Sequence, residues 1–191
     1  MAARRLGRIA GLATAVALSC LAGNAATAKE RDALTITPVP SAPIPGTFTL
    51  TAVGDLIYLR PMLATIERKS PDMLRILRRA DVTFGNFEEV VFDLPTFKGA
   101  PQAESGGTWM LGDPKVVDDL VAMGFDVVST ANNHATDWGA EGLLETIKRL
   151  DAAKLVHAGT GRTMAEARSP RYLDAPLGRV GLVSATSTFT P

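Results

Sequence analysis

From Thr47 onward the chain alternates between two periods of hydrophobicity. In "TFTLTAVGD" Phe48, Leu50 and Ala52 share one face with the period of a strand, and the run stops at Gly54-Asp55. "SPDMLRILRR" follows as a helix, with Ser70 as N-cap, Pro71 at the first helical position, Asp72 in the first turn, and a stripe of Met73, Leu74 and Leu77. "ADVTFGNFE" is again a short strand, ending near Gly85-Asn86. "DPKVVDDLVAMG" repeats the helix pattern, with Asp113 as cap, Pro114 next, a stripe of Val116, Val117, Leu120 and Val121, and Gly124 as terminator. "FDVVSTAN" reads as a third strand and "AEGLLETIKRL" as a helix with Leu143, Ile147 and Leu150 on one side. "KLVHAG" and "GRVGLVSAT" are two further strand candidates, while Phe92 to Gly107 is irregular and reads as a loop over a sheet edge.

Strands separated by helices define an α/β class built from βαβ units with a mainly parallel sheet. The chain has no internal repeat. Its 191 residues suit one domain with one sizeable core.

The hydropathy pattern is different before Thr47. Arg4, Arg5 and Arg8 precede an apolar run from Ile9 to Ala22, and "ATA" at Ala26 to Ala28 is a small-residue cleavage signal. This three-part pattern makes residues 1–28 a signal peptide, with an uncleaved membrane anchor as the alternative; the apolar run is shorter than the roughly 20 residues of a comfortable span. Export to the periplasm or the extracellular space is the implied location. Residues 29–46 form a Pro-rich linker, since Pro38, Pro40, Pro43 and Pro45 suit neither helix nor central strand. The folded domain is therefore 47–191. Cys20, the one cysteine, lies in the signal, so the exported chain has no disulfide and relies on its core.

Composition excludes more than it identifies. Hydrophobic residues at 46% and charged residues at 21% are those of a globular protein, and 20 basic against 20 acidic residues leave no footprint for nucleic acid.

The candidate chemistry lies in three polar clusters, each just after a strand: Gly54-Asp55, "GNFEE" at Gly85 to Glu89, and "ANNHATD" at Ala131 to Asp137. Ligand sites of open α/β sheets form outside the carboxyl ends of the strands, so three parallel neighbours would bring these clusters into one crevice. Asp55 and Glu88 offer anionic oxygens, Asn133 a carbonyl oxygen and His134 an imidazole nitrogen. Such a set suits a divalent metal such as manganese, zinc or iron rather than soft copper. A metal there would polarise a phosphoryl oxygen and activate water, with His134 as the catalytic acid or charge stabiliser. Asn86, Asn132 and Asp137 would orient those ligands or touch substrate, Asp137 in particular by fixing the His134 ring.

Each residue also has a plainer reading. Gly-Asp steps form turns, Asn86 and Glu88 serve equally as caps or solvated positions, and paired asparagines fill left-handed conformations. His157, inside an apolar strand, reads as a satisfied core histidine, and Trp138 as packing beneath the loop.

Gly54-Asp55, Asn86-x-Glu88 and "ANNHATDWGAEGLLETIKRLD" together resemble the CapA family of poly-gamma-glutamate capsule biosynthesis proteins, and "HAGTGRTMAEARSPRYLDAPLGRVGLVSAT" extends the similarity from about Thr47 to the end. The resemblance implies a calcineurin-like metallophosphoesterase fold, a β-sandwich flanked by helices. It places Asp55 at the first metal-binding motif, Asn86 and Glu88 at the second, and Asn133-His134 at the Asn-His motif. Two departures matter. Ile57 stands where metallophosphoesterases have a histidine two residues after the first aspartate. The later histidine-rich motifs of both groups are missing before the final "STFTP", which reads as the N-terminal portion of a longer protein. Such a truncated domain would expose an apolar sheet face and leave a dinuclear site short of ligands, so that this chain alone would be inactive.

The function expected is that of an exported CapA-type protein acting on poly-gamma-glutamate or a related anionic envelope polymer, in company with other capsule-synthesis membrane proteins. A metal-dependent phosphoesterase with another envelope substrate and a noncatalytic binding domain are the competing readings.

Overall fold

A computed structural model describes residues 43–102 and 107–187. The signal peptide, nearly all of the linker, and the last four residues of the chain fall outside the described residues.

The core element is a four-stranded sheet of β1 (Leu50–Leu56), β2 (Val82–Phe87), β5 (Val127–Ser129) and β6 (Val156–Ala158), neighbours in that order and all parallel. Between them run α1 (Leu63–Lys69), α2 (Pro71–Arg79), α3 (Lys115–Met123) and α4 (Gly139–Ala152). Two short strands, β3 (Val90–Val91) and β4 (Leu111–Gly112), form a separate parallel pair. After β6 come α5 (Met164–Arg168) and an antiparallel hairpin of β7 (Arg171–Ala175) and β8 (Gly178–Leu182). The mixed α/β class with a parallel sheet flanked by helices is the one the periodicity indicates.

Because the sheet order follows chain order, right-handed crossovers deliver successive helices to one face. The core reflects this: Leu74 and Leu77 of α2, Val116, Val117, Leu120 and Met123 of α3, and Leu150 of α4 pack in one cluster with Phe87 and Val128 of the sheet. Gly85 has no side chain because Leu56 occupies that space; a Cβ would stand 2.6 Å from the Leu56 Cδ1. Gly124 ends α3 in the left-handed region at φ 97°, its N–H donating to the carbonyls of Leu120 and Val121.

Several local expectations change in three dimensions. The Leu50 and Ala52 face of β1 is the open one, with Leu50 56% exposed, while Val53 and Leu56 reach the core. β1 is an edge strand covered by helices on one face only, and its pairing with β2 shifts between Ala52 and Asp55. Met73 and Val121 are exposed, so the buried stripes narrow to Leu74/Leu77 and Val116/Val117/Leu120/Met123. Ser70 occupies the N-cap of α2 without a side-chain cap bond; the N-cap of α3 is Pro114, and Asp113 just before it accepts from Lys115 N at 2.8 Å. The final strand candidate is not another parallel strand of the main sheet; it is β8, paired with β7 across the turn at Pro176-Leu177. α1 has no local signal, because its first N–H groups are capped from a distance: Asp119 of α3 accepts from Met62 N at 2.6 Å and Leu63 N at 2.8 Å.

Candidate functional site

Parallel pairing sets the level of the site. Asp55 lies opposite Asn86, and Asn86 opposite Ser129, so the carboxyl ends of β1, β2 and β5 finish side by side. The strand order runs in one direction without reversal, so the crevice is made by the loops alone rather than by a topological switch.

Asn86 is the hub. Its Nδ2 donates to Asp55 Oδ1 at 2.9 Å and to Glu88 Oε2 at 3.1 Å, bridging the two carboxylates. Its Oδ1 accepts from Asn132 Nδ2 at 3.3 Å, and the same amide donates to the Phe87 carbonyl at 2.8 Å. Asn132 Oδ1 in turn accepts from the His134 N–H at 3.1 Å, which fixes the loop carrying the imidazole. His134 is 5% exposed, and its Nδ1 meets Asp137 Oδ2 at 2.8 Å. Asp137 has no exposed surface; its Oδ2 also accepts from Met110 N at 2.5 Å, while its Oδ1 has no partner among the described residues.

The structure therefore joins Asp55, Asn86, Glu88, Asn132, His134 and Asp137 in one hydrogen-bonded chain across three loops. Asn133 sits half-buried within the last of these loops. Trp138 packs as expected, edge-on to Phe92 at 5.1 Å and Phe97 at 5.9 Å, and steadies the loop from below. His157 is buried, with Nε2 3.0 Å from Asp151 Oδ1, away from this crevice.

Electrostatics mark the same place. Glu88 is held above the ordinary glutamate range, first by burial and then by the hydrogen bond and like charge of Asp55, against the opposing pull of His134 and Asn86. Two carboxylates this close resist double ionisation unless a proton or a cation sits between them. Glu89, to which no role was assigned from sequence, is 2% exposed and burial pushes it up to about 8. Its Oε1 accepts from Tyr58 N at 3.3 Å, and its Oε2 has no partner among the described residues. The phenol of Tyr58 is raised by its own burial and then by the charge of Glu89. Nothing in the alternation of "NFEEVV" separates the rim glutamate from the buried one.

Among the described residues no three His, Cys, Asp or Glu side chains lie together as a ready metal cluster. What the crevice does supply is a carboxylate pair short of positive charge, the amide oxygens beside it, and the His134 Nε2. Asp55, Glu88 and the amide oxygens are of the types that could hold a hard or borderline divalent cation, while His134 Nε2 is placed to exchange a proton beside them.

The fold and site together define an α/β protein with a carboxylate, asparagine and histidine crevice at the carboxyl end of a parallel sheet. A family model described as bacterial capsule synthesis protein PGA_cap matches residues 49–191, and the chain belongs to that family. It is 44% identical over 144 residues to the uncharacterized protein y4sH of Sinorhizobium fredii, covering 75% of this chain and 31% of that protein. It is 30% identical over 146 residues to the capsule biosynthesis protein CapA of Bacillus anthracis, covering 74% of this chain and 35% of that one. A PGA biosynthesis protein CapA of Bacillus subtilis is 30% identical over 121 residues, 61% of this chain and 31% of the relative. The chain thus spans about a third of the length of the curated relatives it matches.

Proposed function

We propose that this chain is part of an exported CapA-type protein that acts in the biosynthesis of poly-gamma-glutamate or a related anionic envelope polymer, through a metallophosphoesterase-like site. Family membership supports the pathway. The observation that carries the chemistry is the hydrogen-bonded chain from Asp55 through Asn86 and Asn132 to His134 and Asp137.

In this reading Asp55 and Glu88 hold a divalent cation, of manganese, zinc or iron, with Asn133 as a neutral ligand. When bound, the cation supplies Lewis acidity toward a phosphoryl oxygen and a more acidic water. The protein's own part begins with Asp137. By accepting from Nδ1–H it fixes the tautomer of His134, so that Nε2 is the nitrogen that takes or gives a proton. Asn86 keeps the two carboxylates at a fixed separation, and Asn132 fixes the backbone from which His134 projects. Burial of His134 and Asp137 excludes water from the proton path and strengthens their hydrogen bond.

Metal analysis tests the site directly: the intact protein is expected to bind about one ion per chain, and Asp55→Ala or Glu88→Gln to lose it. In the full-length form His134→Ala is expected to abolish hydrolysis of a generic phosphodiester while metal stays bound. Substoichiometric metal in the wild type would overturn the metal reading and favour a binding domain. Hydrolysis of phosphodiesters with no response to a glutamate polymer would instead favour a phosphoesterase on another envelope substrate.

A further inference from the structure

We propose that the hydroxyl pair of Ser129 and Ser184 is a substrate-positioning site, donating a hydrogen bond to an unesterified oxygen of a phosphoryl group held in the Asp55–His134 crevice. The inference rests on the phosphoesterase reading above and adds to it the residues that hold the substrate's oxygens.

Strand alternation puts the pair on the same row as the site. Leu56, Phe87 and Val128 point into the core beneath the helices, so their neighbours Asp55, Asn86 and Ser129 point to the opposite face of the sheet. These three are register partners, Asp55 with Asn86 and Asn86 with Ser129. The row continues to Ser184, which follows β8 and whose Oγ lies 2.6 Å from Ser129 Oγ. Gly159 admits this approach: a Cβ there would stand 2.8 Å from Ser184 Oγ and 2.5 Å from the Ala131 Cβ. Both serines are half-buried, so the pair is bordered by protein without being sealed off.

Donor accounting gives the role. Asn86 spends both amide hydrogens on Asp55 and Glu88, and Asn132 spends both on Asn86 and the Phe87 carbonyl. Ionised Asp55 and Glu88 only accept. A phosphoryl group in the crevice therefore brings acceptor oxygens against carboxylates and amides with nothing left to donate. The serine pair has two O–H groups and needs one of them for its own bond; the other hydrogen has no partner among the described residues. The neighbouring threonines differ. Thr130 Oγ1 donates to the Ala158 carbonyl at 3.0 Å, and Thr160 Oγ1 completes that pair at 2.8 Å. The threonine pair anchors itself on backbone, while the serine pair keeps a donor for a ligand.

The test uses the full-length protein supplied with divalent metal, following KM and kcat for a generic phosphodiester together with calorimetric binding of inorganic phosphate. The Ser129→Ala/Ser184→Ala double variant is expected to raise KM and weaken phosphate binding about tenfold, the scale of one hydrogen bond to a charged group. Metal content is expected to stay as in wild type, and kcat to fall by less than KM rises. Each single alanine variant is expected to lose less, because the remaining hydroxyl, released from its partner, donates in its place. Single variants as damaging as the double would show that the pair acts only as a link between β5 and the segment after β8, and would overturn the proposal. Phosphate affinity and KM unchanged in the double variant overturn it too, and leave the phosphoesterase reading standing. Phosphate binding that depends on the serines, without hydrolysis by wild type, supports the pair and overturns that reading. A wild type that neither binds phosphate nor hydrolyses the diester overturns both.

Discussion

Asp137 carries two hydrogen bonds on one oxygen and, among the described residues, none on the other, with no exposed surface. Asp137→Asn keeps the shape but replaces an obligate acceptor with a group that also donates. It is expected to cost about 1–3 kcal/mol of stability and to shift the His134 ring proton from Nδ1 toward Nε2, observable in nitrogen-detected NMR of the imidazole. Glu89 gives a pH signature of definite sign. Its folded pKa of about 8 lies above the ordinary value of 4.5, so the folded state keeps a proton that the unfolded chain has released. Its contribution is complete below pH 4.5 and is lost as pH rises toward 8. A loss on the order of a few kcal/mol follows from the shift. Glu89→Gln is expected to flatten the stability profile between those limits and to be more stable than wild type at the alkaline end. The raised Glu88 leaves a smaller residual slope of the same sign. Denaturant midpoints measured across this range check both.

At the level of elements, the helices show how far a periodic pattern reaches. "DPKVVDDLVAMG" contains cap, stripe and glycine stop within its own span, and α3 forms there. Which stripe residues are buried depends on the neighbours. Leu120→Ala, fully buried between α2 and the sheet, is expected to cost about 2–5 kcal/mol, whereas Val121→Ala on the exposed flank is expected to cost about 0.5 kcal/mol; chemical denaturation distinguishes them. α1 makes the opposite point. Asp119, more than fifty residues downstream, caps its first turn. Asp119→Ala is expected to cost about 1 kcal/mol and to speed amide exchange at Met62 and Leu63 ahead of the other helices. β7 also lacked a readable signal, because its residues alternate only between half-buried and exposed and no apolar face is fully covered.

For the molecule as a whole, a metal held by the carboxylate pair as proposed would couple binding to stability. A divalent cation held by the folded state alone is expected to raise stability by about 2.7 kcal/mol at a hundredfold excess over its dissociation constant. That gain should appear as a higher melting temperature in wild type and vanish in Asp55→Asn and Glu88→Gln. The sequence by itself determined the α/β class, most helix spans, and the three polar clusters that follow strands. Each of these is set by local periodicity, caps and turn residues. Tertiary structure alone decided that β1, β2 and β5 lie side by side with their carboxyl ends level. Only then do Asp55, Asn86 and His134, separated by dozens of residues, join one hydrogen-bonded chain. It also decided that Glu89 is buried beside Glu88, that the Leu50 face of β1 is open, and that Ser184 meets Ser129 at the end of the Asp55–Asn86 row. These outcomes depend on which elements pack together, and no local pattern carries that information.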